Sequence, residues 1–122
     1  MTTNIVDKDG NSIAAADATV PSDRHFRNAW SLSGSTITED LTASKVIFKE
    51  KVRSARTPLL AAEDVVYMKA LEDADTDAQA ASVKKKKALR DAPAASAITN
   101  AGNITALKAA WDTSTLGDSP YA

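Results

Sequence analysis

Residues 53–75 read RSARTPLLAAEDVVYMKALEDAD, and this stretch decides the fold. It has the spacing of a long amphipathic helix, but Pro58 lies inside it. A proline in a helix interior removes one backbone hydrogen bond and clashes with the preceding turn, at a cost of about 3 kcal/mol. Either the helix ends there, or it continues with a bend. A break gives a bundle of short helices, whereas a bend gives one long arm that can hold another protein.

Apolar and small residues recur at helical spacing on both sides of this proline. We call them the seam, and they are Leu41, Ser44, Phe48, Val52, Ala55, Leu59, Ala62 and Val66. The seam keeps its phase across the proline, which favours one helix. Thr57 could instead cap a new helix that starts with Pro58, but Leu60 leaves the capping box incomplete. We therefore predict one helix over residues 39–73, bent near residues 54–58 and capped by Thr38.

A second helix is predicted directly after the acidic stretch EDADTD at residues 72–77. Thr76 and Gln79 form a capping box, so this helix spans about 77–91 and packs antiparallel to the first. It is about 22 Å long against about 52 Å for the first helix, and it can cover only the part after the proline. The earlier half, with Phe48 and Val52, then needs the N-terminal β region or another chain as its cover.

Two small β-hairpins are predicted within the N-terminal region, residues 1–38. The first turns at Asp9-Gly10, a favoured two-residue turn, and the second turns at Ser33-Gly34. These turns place Val6 opposite Ile13, and Trp30 opposite Ile37. The hairpins form a β cap and not a full sheet domain.

The C-terminal region, residues 92–122, is predicted as a linker, one short helix over 104–111 and an irregular tail. Asn103 caps the short helix, and Ile104, Leu107 and Trp111 share one of its faces. Together with the helical hairpin of residues 39–91, this gives an α+β fold that is mainly α: N-terminal β-hairpins, a long kinked helix in an antiparallel hairpin and a short C-terminal helix.

Composition excludes several classes of function. The 122 residues carry a formal net charge of −1, which does not indicate binding to nucleic acid. There are no cysteines, so disulfides and thiolate metal sites are excluded and a cytoplasmic origin is favoured. No signal sequence and no run of 18 apolar residues is found, so we expect neither export nor a membrane segment. Aromatic residues are only 5%, so we expect a thin core that relies on partners or on copies of the chain.

No motif indicates catalysis or a cofactor. DKDGN at residues 7–11 resembles the start of a calcium loop, but Ser12 and Ala18 stand where the pattern needs Gly and Glu, which favours a simple turn. His25 is the one histidine, so no metal set and no catalytic triad is indicated, and packing or a surface contact is the expected role. The lysine run at residues 84–87 spreads around a helix, which favours a solvated face. We expect no enzyme activity, no cofactor, no metal and no small-molecule substrate.

Charge divides the first helix at the proline. Basic residues precede it and acidic residues follow it: Lys45, Lys49, Lys51, Arg53 and Arg56, then Asp64, Glu72, Asp73 and Asp75. This asymmetry either orients a partner or keeps the hairpin soluble. The candidate partner-binding residues are Phe48, Val52, Ala55, Leu59, Arg53, Arg56 and Trp111, because the early seam lacks a cover and because interfaces are rich in Trp and Arg.

Three stretches resemble small accessory proteins of tailed bacteriophages, of the kind that act as tail or tail-fibre assembly chaperones. The stretches are VPSDRHFRNAWSLSG, RSARTPLLAAEDVVYMKALE and KKKKALRDAP, with ALKAAWDTS as the closing segment. The residues that carry the likeness are Asp23, Arg24, Phe26, Arg27, Ala29, Trp30, Arg56, Pro58, Leu59, Leu60, Asp64, Val65, Met68, Ala70, Leu71, Glu72, Leu89, Arg90, Asp91, Ala92 and Pro93. They are packing and turn residues within residues 20–112.

The resemblance implies a β-containing N-terminal part, a helical hairpin, no cofactor and binding to a phage tail or tail-fibre protein, with copies of the chain as a further partner. The expected location is the virion tail, after synthesis in the host cytoplasm. One hypothesis is a structural component that stays in the particle. The alternative is an assembly chaperone that dissociates before the particle matures. A third, less favoured, is a DNA-binding accessory protein that uses the lysine run.

Overall fold

Helix α1 (Leu41–Glu72) continues through Pro58 without interruption, as the unbroken phase of the seam predicts. The structure, a computed structural model, describes residues 3–121. Thr57 begins no new helix, because its hydroxyl donates to the Arg53 carbonyl, 2.9 Å away within α1. The predicted cap is wrong: Thr38 lies in a strand, and the residue before the helix is Asp40. The bend near residues 54–58 stays a prediction. Below, residues 41–57 are the proximal half of α1 and residues 59–72 its distal half.

Helix α2 (Thr76–Asp91) returns along α1 after a three-residue turn. Its cap is Asp75 and not Thr76, because the Asp75 carboxylate accepts a hydrogen bond from the Ala78 amide at 3.1 Å. In the turn, Ala74 has φ 54°, and the Asp75 amide donates to the Ala70 carbonyl at 2.9 Å. Helices commonly end at a residue in the left-handed conformation, and that residue is usually glycine. In α1 it is alanine.

The first hairpin pairs β1 (Asn4–Val6) with β2 (Ser12–Ala14), in a register that differs from the prediction. Ile5, and not Val6, lies opposite Ile13. The loop has three residues and not two: the Asp7 amide donates to the Asn11 carbonyl at 2.8 Å across it. Its last residue, Gly10, has φ 86°, which is the left-handed position that such three-residue loops require.

The second hairpin pairs β3 (Trp30–Ser33) with β4 (Thr36–Glu39), and its register also corrects the prediction. Leu32 lies opposite Ile37, and Trp30 lies opposite Glu39. The turn is Gly34-Ser35, with φ 63° at the glycine. In a two-residue hairpin turn whose first residue is glycine, only that glycine needs a positive φ. A turn at Ser33-Gly34 would instead require a positive φ at the serine.

Asp7 joins the two hairpins. Its carboxylate accepts hydrogen bonds from the amides of Leu32 (2.8 Å), Asn11 (2.8 Å) and Asp9 (2.9 Å), and the residue is only 6% exposed. The Leu32 bond is the main reason that the pKa of Asp7 is lowered to about 2. The calcium-like stretch is thus a turn whose first carboxylate is occupied by backbone amides.

The C-terminal region contains more helix than predicted. Short helices α3 (Ser96–Thr99), α4 (Ile104–Ala109) and α5 (Thr113–Leu116) replace much of the expected linker and irregular tail. Asn103 caps α4 as predicted, and its side chain accepts from the Ala106 amide at 2.8 Å. The α5 turn is capped by Asp112, which accepts from the Ser114 amide at 3.1 Å. Single-turn 3-10 helices lie at Ala15–Asp17, Arg27–Ala29 and Ala92–Ala94.

The core lies around the proximal half of α1. Residues from near both ends of the chain pack on this half, together with the last turn of α2. The buried members are Phe26, Ala29, Phe48, Val52, Leu89, Ile98, Ala101, Leu107, Trp111 and Leu116. The distal half of α1 contributes none of them, so it extends from the core as one side of a two-helix arm. We call residues 59–83 the arm.

Candidate partner-binding surface

The early seam is covered by the chain itself, which contradicts the predicted open surface. Phe48 is 0% exposed, Val52 is 1% exposed and Trp111 is 6% exposed. The Phe48 ring lies edge-on to Trp111, with 5.9 Å between ring centroids. These three residues form the core and leave no surface for a partner.

The cover comes from residues far away in sequence. Phe26 arrives from the loop before β3, and Leu107 and Leu116 arrive from α4 and α5. Tyr121 stacks on both Phe26 and Phe48, with 5.3 Å between centroids in each pair. Its burial raises the pKa of Tyr121 to about 12. The sequence signal for this cover is the series of apolar residues from Ile98 to Tyr121, in a region predicted as a linker, a short helix over 104–111 and an irregular tail.

Arg56 and Ala55 are also occupied within the chain. The Arg56 guanidinium donates to the Arg90 carbonyl at 2.7 Å, at the last turn of α2. A cation at that place satisfies a carbonyl that the helix leaves free and complements the helix dipole. Ala55 is partly buried against the core. Of the predicted partner-binding residues, Leu59 and Arg53 are the exposed ones.

The seam is exposed where it was expected to be covered. After Pro58 its residues Leu59, Ala62 and Val66 all face solvent. They continue the same face of α1 that the core buries before the proline. We call these three residues the open seam.

Helix α2 leaves the open seam free because it packs on the neighbouring face of α1. The Ser82 hydroxyl donates to the Glu63 carbonyl at 3.2 Å, and the Gln79 amide donates to the Ala70 carbonyl at 3.3 Å. Ser82 and Ala70 are buried. Small residues at these places let the two helices approach closely, and that fixes the face that α2 covers.

A groove runs beside the open seam. Its volume is about 310 Å³, and α1, α2 and α5 form its walls. Leu59 and Ala62 line one side, and Ala88 and Leu89 lie across from them. Lys85, Glu63, Ser114 and Thr115 supply its polar edge. An apolar floor with a polar rim is the usual composition of a protein-binding groove.

The arm carries most of the exposed large hydrophobic side chains. Among residues 3–121 nine are exposed, and six of these lie on the arm: Leu59, Val65, Val66, Met68, Leu71 and Val83. Leu59 and Val66 belong to the open seam, whereas Met68 and Leu71 lie on a different face of α1 and Val83 lies on α2, so the six side chains are spread over several faces of the arm.

The lysine run does not form one basic patch. The Lys86 ammonium lies 2.6 Å from the Asp64 carboxylate and 4.9 Å from the centre of the Tyr67 ring. Lys87 pairs with Asp91 at 2.8 Å. Lys85 faces the groove. The run is therefore divided among three different surroundings.

A surface cavity of about 500 Å³ lies beside His25. His25 packs edge-on to Tyr121, with 5.1 Å between the ring centroids. Ile47, Glu50, Lys51, Ser54 and Pro120 complete the lining. Within residues 3–121, no group of three or more His, Cys, Asp or Glu side chains is placed to hold a metal ion.

Comparison with protein-family models, with curated proteins and with solved structures found no match in any of the three. Among the described helices, none has both the length and the apolar character that crossing a membrane requires. The residues that carry the phage resemblance include core positions, with Phe26, Trp30 and Leu89 buried, and Pro93 buried at the end of α2.

Proposed function

We propose that this chain is a non-enzymatic accessory protein of a bacteriophage tail, which binds a tail or tail-fibre protein through the open seam. The observation that carries the proposal is the continuous apolar face of α1, buried before Pro58 and exposed after it. A helix has no structural need to continue such a face beyond its core, since exposed Leu and Val contribute nothing there. A partner that covers the face gains its burial, at roughly 25 cal/mol per Å².

The groove supports a helix or an extended segment as the bound element. Its apolar floor is formed by Leu59, Ala62 and Ala88, and Val66 extends the same face toward the tip of the arm. A partner side chain of leucine or phenylalanine size fits such a depression. The polar edge, with Lys85 and Thr115, can satisfy the polar groups around that side chain.

The phage tail assignment rests on the sequence resemblance, whose residues lie in the core and along the helical hairpin. In this proposal the protein is made in the host cytoplasm and stays in the virion tail. An assembly chaperone would use the same surface and leave before maturation. Mass spectrometry of purified particles of the encoding phage distinguishes the two: peptides of this chain at stoichiometric amounts support the structural component, and their absence overturns it.

The open seam is tested by capture of the co-expressed tail-fibre protein. Val66→Glu and Leu59→Glu are expected to weaken capture by about tenfold or more, because each places a charge at the centre of the contact. Val83→Glu is a matched control, because Val83 is 49% exposed against 47% for Val66 and lies on α2. Equal capture by all three variants would contradict the assignment of the surface, and circular dichroism checks that each variant is folded.

A further inference from the structure

A second face of α1 is exposed along nearly the whole helix. Residues at steps of three and four define it: Val46, Arg53, Thr57, Ala61, Asp64 and Leu71, all exposed. Glu50 and Met68 fill the two remaining steps and are exposed too. We call this face the free stripe. It lies about a third of a turn or more from the open seam, at 100° per residue, so the two surfaces are distinct.

Two pairs of residues on the free stripe are placed symmetrically about the middle of the helix. Val46 lies 12 residues before Pro58, and Leu71 lies 12 residues after Leu59. Arg53 and Asp64 lie five residues from the same two positions. In a two-fold contact between antiparallel helices, a residue on one side of the centre meets the residue that lies equally far on the other side in the second copy. Val46 of one copy would therefore meet Leu71 of the other, and Arg53 would meet Asp64.

The charges match this alignment and oppose the parallel one. On the stripe itself the charged residues are Glu50 and Arg53 in the proximal half and Asp64 in the distal half. An antiparallel contact pairs Arg53 of one copy with Asp64 of the other, whereas a parallel contact in register places each of the three charges against its own equivalent. Asp64 already pairs with Lys86, but its side chain is 67% exposed and a carboxylate can accept several donors.

The middle of the stripe allows a close approach of two helices. Thr57 and Ala61 are small, and the Thr57 hydroxyl is satisfied within its own helix by the Arg53 carbonyl. Small residues at a crossing point let the helix axes approach to about 8 Å. Larger apolar side chains stand near the two ends, where Val46 is 55% exposed, Met68 56% and Leu71 50%.

The half of α1 centred on the free stripe has an area at the lower end of the range for specific interfaces. The stripe from Val46 to Leu71 is about 38 Å long at 1.5 Å per residue. Half the circumference of a helix about 10 Å wide is about 16 Å, which gives about 600 Å² per copy. A total of about 1,200 Å² is the lower end of the range for specific protein interfaces.

We propose that two copies of this chain associate through their free stripes, with the α1 helices antiparallel and crossing near Pro58. The contact uses a different face from the open seam, so each copy keeps its partner-binding surface exposed. The dimer then presents two open seams. This inference concerns the oligomeric state of the purified chain and does not depend on the phage assignment.

Disulfide trapping tests the alignment, because the natural chain has no cysteine. Val46→Cys and Leu71→Cys are made as separate variants and mixed under mild oxidation. The mixture is expected to form a covalent dimer between the two variants, since residues 46 and 71 of different copies are adjacent. Either variant alone places its own cysteines about 38 Å apart, far beyond the reach of a disulfide. Cross-linking of a single variant as fast as the mixture would overturn the antiparallel register.

Sedimentation velocity over a range of concentrations tests the association itself. Arg53→Glu is expected to weaken the dimer by about tenfold or more. The contact between residue 53 and Asp64 of the other copy occurs twice in the dimer, and the substitution makes both contacts repulsive. The double variant Arg53→Glu, Asp64→Arg is expected to recover most of that loss, which a purely structural effect would not do. Val66→Glu serves as the control and leaves the dimer within about twofold, although it disrupts the open seam. A natural chain that stays monomeric at all concentrations would overturn the proposal.

Discussion

The two halves of α1 are parts of one helix and carry one apolar seam, yet they have opposite surroundings. In the proximal half, Phe48 and Val52 are buried beneath segments from near both ends of the chain. In the distal half, Leu59 and Val66 face solvent, and α2 covers a neighbouring face through small residues. The difference shows that a continuous hydrophobic pattern identifies which face of a helix is apolar. It does not show how much of that face the rest of the chain buries.

The largest effect is expected from truncating the seam on its buried side. Phe48→Ala should reduce the free energy of unfolding by about 3–5 kcal/mol, because it removes a fully buried ring that packs on Trp111 and Tyr121. Val66→Ala, on the same seam, should change it by less than about 0.5 kcal/mol. Urea denaturation of the two variants measures both. Similar decreases in the free energy of unfolding for the two variants would contradict the difference in burial between the two halves.

A smaller effect is expected at the junction of the halves. Arg56→Ala should cost about 1–2 kcal/mol, since it removes the donor to the Arg90 carbonyl at the end of α2. Arg53→Ala provides the control: it removes an exposed guanidinium from the same helix and should cost under about 0.5 kcal/mol when measured on the monomer. Thermal unfolding at low protein concentration compares them. Equal melting temperatures would show that the α2 end is held by other contacts.

These outcomes also bear on how much of the fold the sequence predicts. The unbroken helix followed from the phase of the seam across Pro58, because local spacing is sufficient to show it. The cover of Phe48 did not follow, because it is formed by residues such as Phe26 and Tyr121 that lie more than 20 and 70 positions away. The face of α1 that α2 covers was also not predictable. It is set by the buried small residues Ser82 and Ala70, which contribute little to a hydrophobicity pattern.

Both hairpins were predicted correctly, but their registers were predicted wrongly, for a different reason. Their existence followed from Gly10 and Gly34, but their registers depend on which loop position each glycine occupies. In both loops the glycine takes the one position with positive φ. Of the candidate site residues, Leu59 and Arg53 are exposed, whereas Phe48 and Val52, proposed because the early seam was predicted to lack a cover, and Trp111, proposed because interfaces are rich in Trp, are buried.

The dependence of stability on pH above about 10 should report on the packing around the proximal half of α1. Burial raises the pKa of Tyr121 to about 12, so the folded state disfavours the phenolate. Its contribution to stability is complete below the ordinary pKa of about 10 and is lost as pH rises from there toward 12. We expect a decrease on the order of 1 kcal/mol after allowance for solvent screening. Tyr121→Phe should remove that decrease, and an unchanged pH profile would contradict the burial of the hydroxyl.

The smallest effect is expected at the tip of the arm, and it is stabilising. Ala74 holds φ 54°, a left-handed conformation that costs alanine about 1 kcal/mol and costs glycine much less. Ala74→Gly should therefore raise the free energy of unfolding by about 0.5–1 kcal/mol. Ala80→Gly, in the interior of α2, should lower it by a similar amount. If both variants lower the free energy of unfolding, residue 74 does not adopt the left-handed conformation in the turn.

The confinement of the core to one end has a consequence for the dimensions of the molecule. None of the buried core residues lies on the arm, so the core does not set how far the two helices extend. Seven residues are close to two whole turns, so adding or removing seven in each helix would keep every face in phase. The tip would move by about 10 Å. The arm is thus a spacer whose length such insertions or deletions would change, while the packing around Phe48 stays the same.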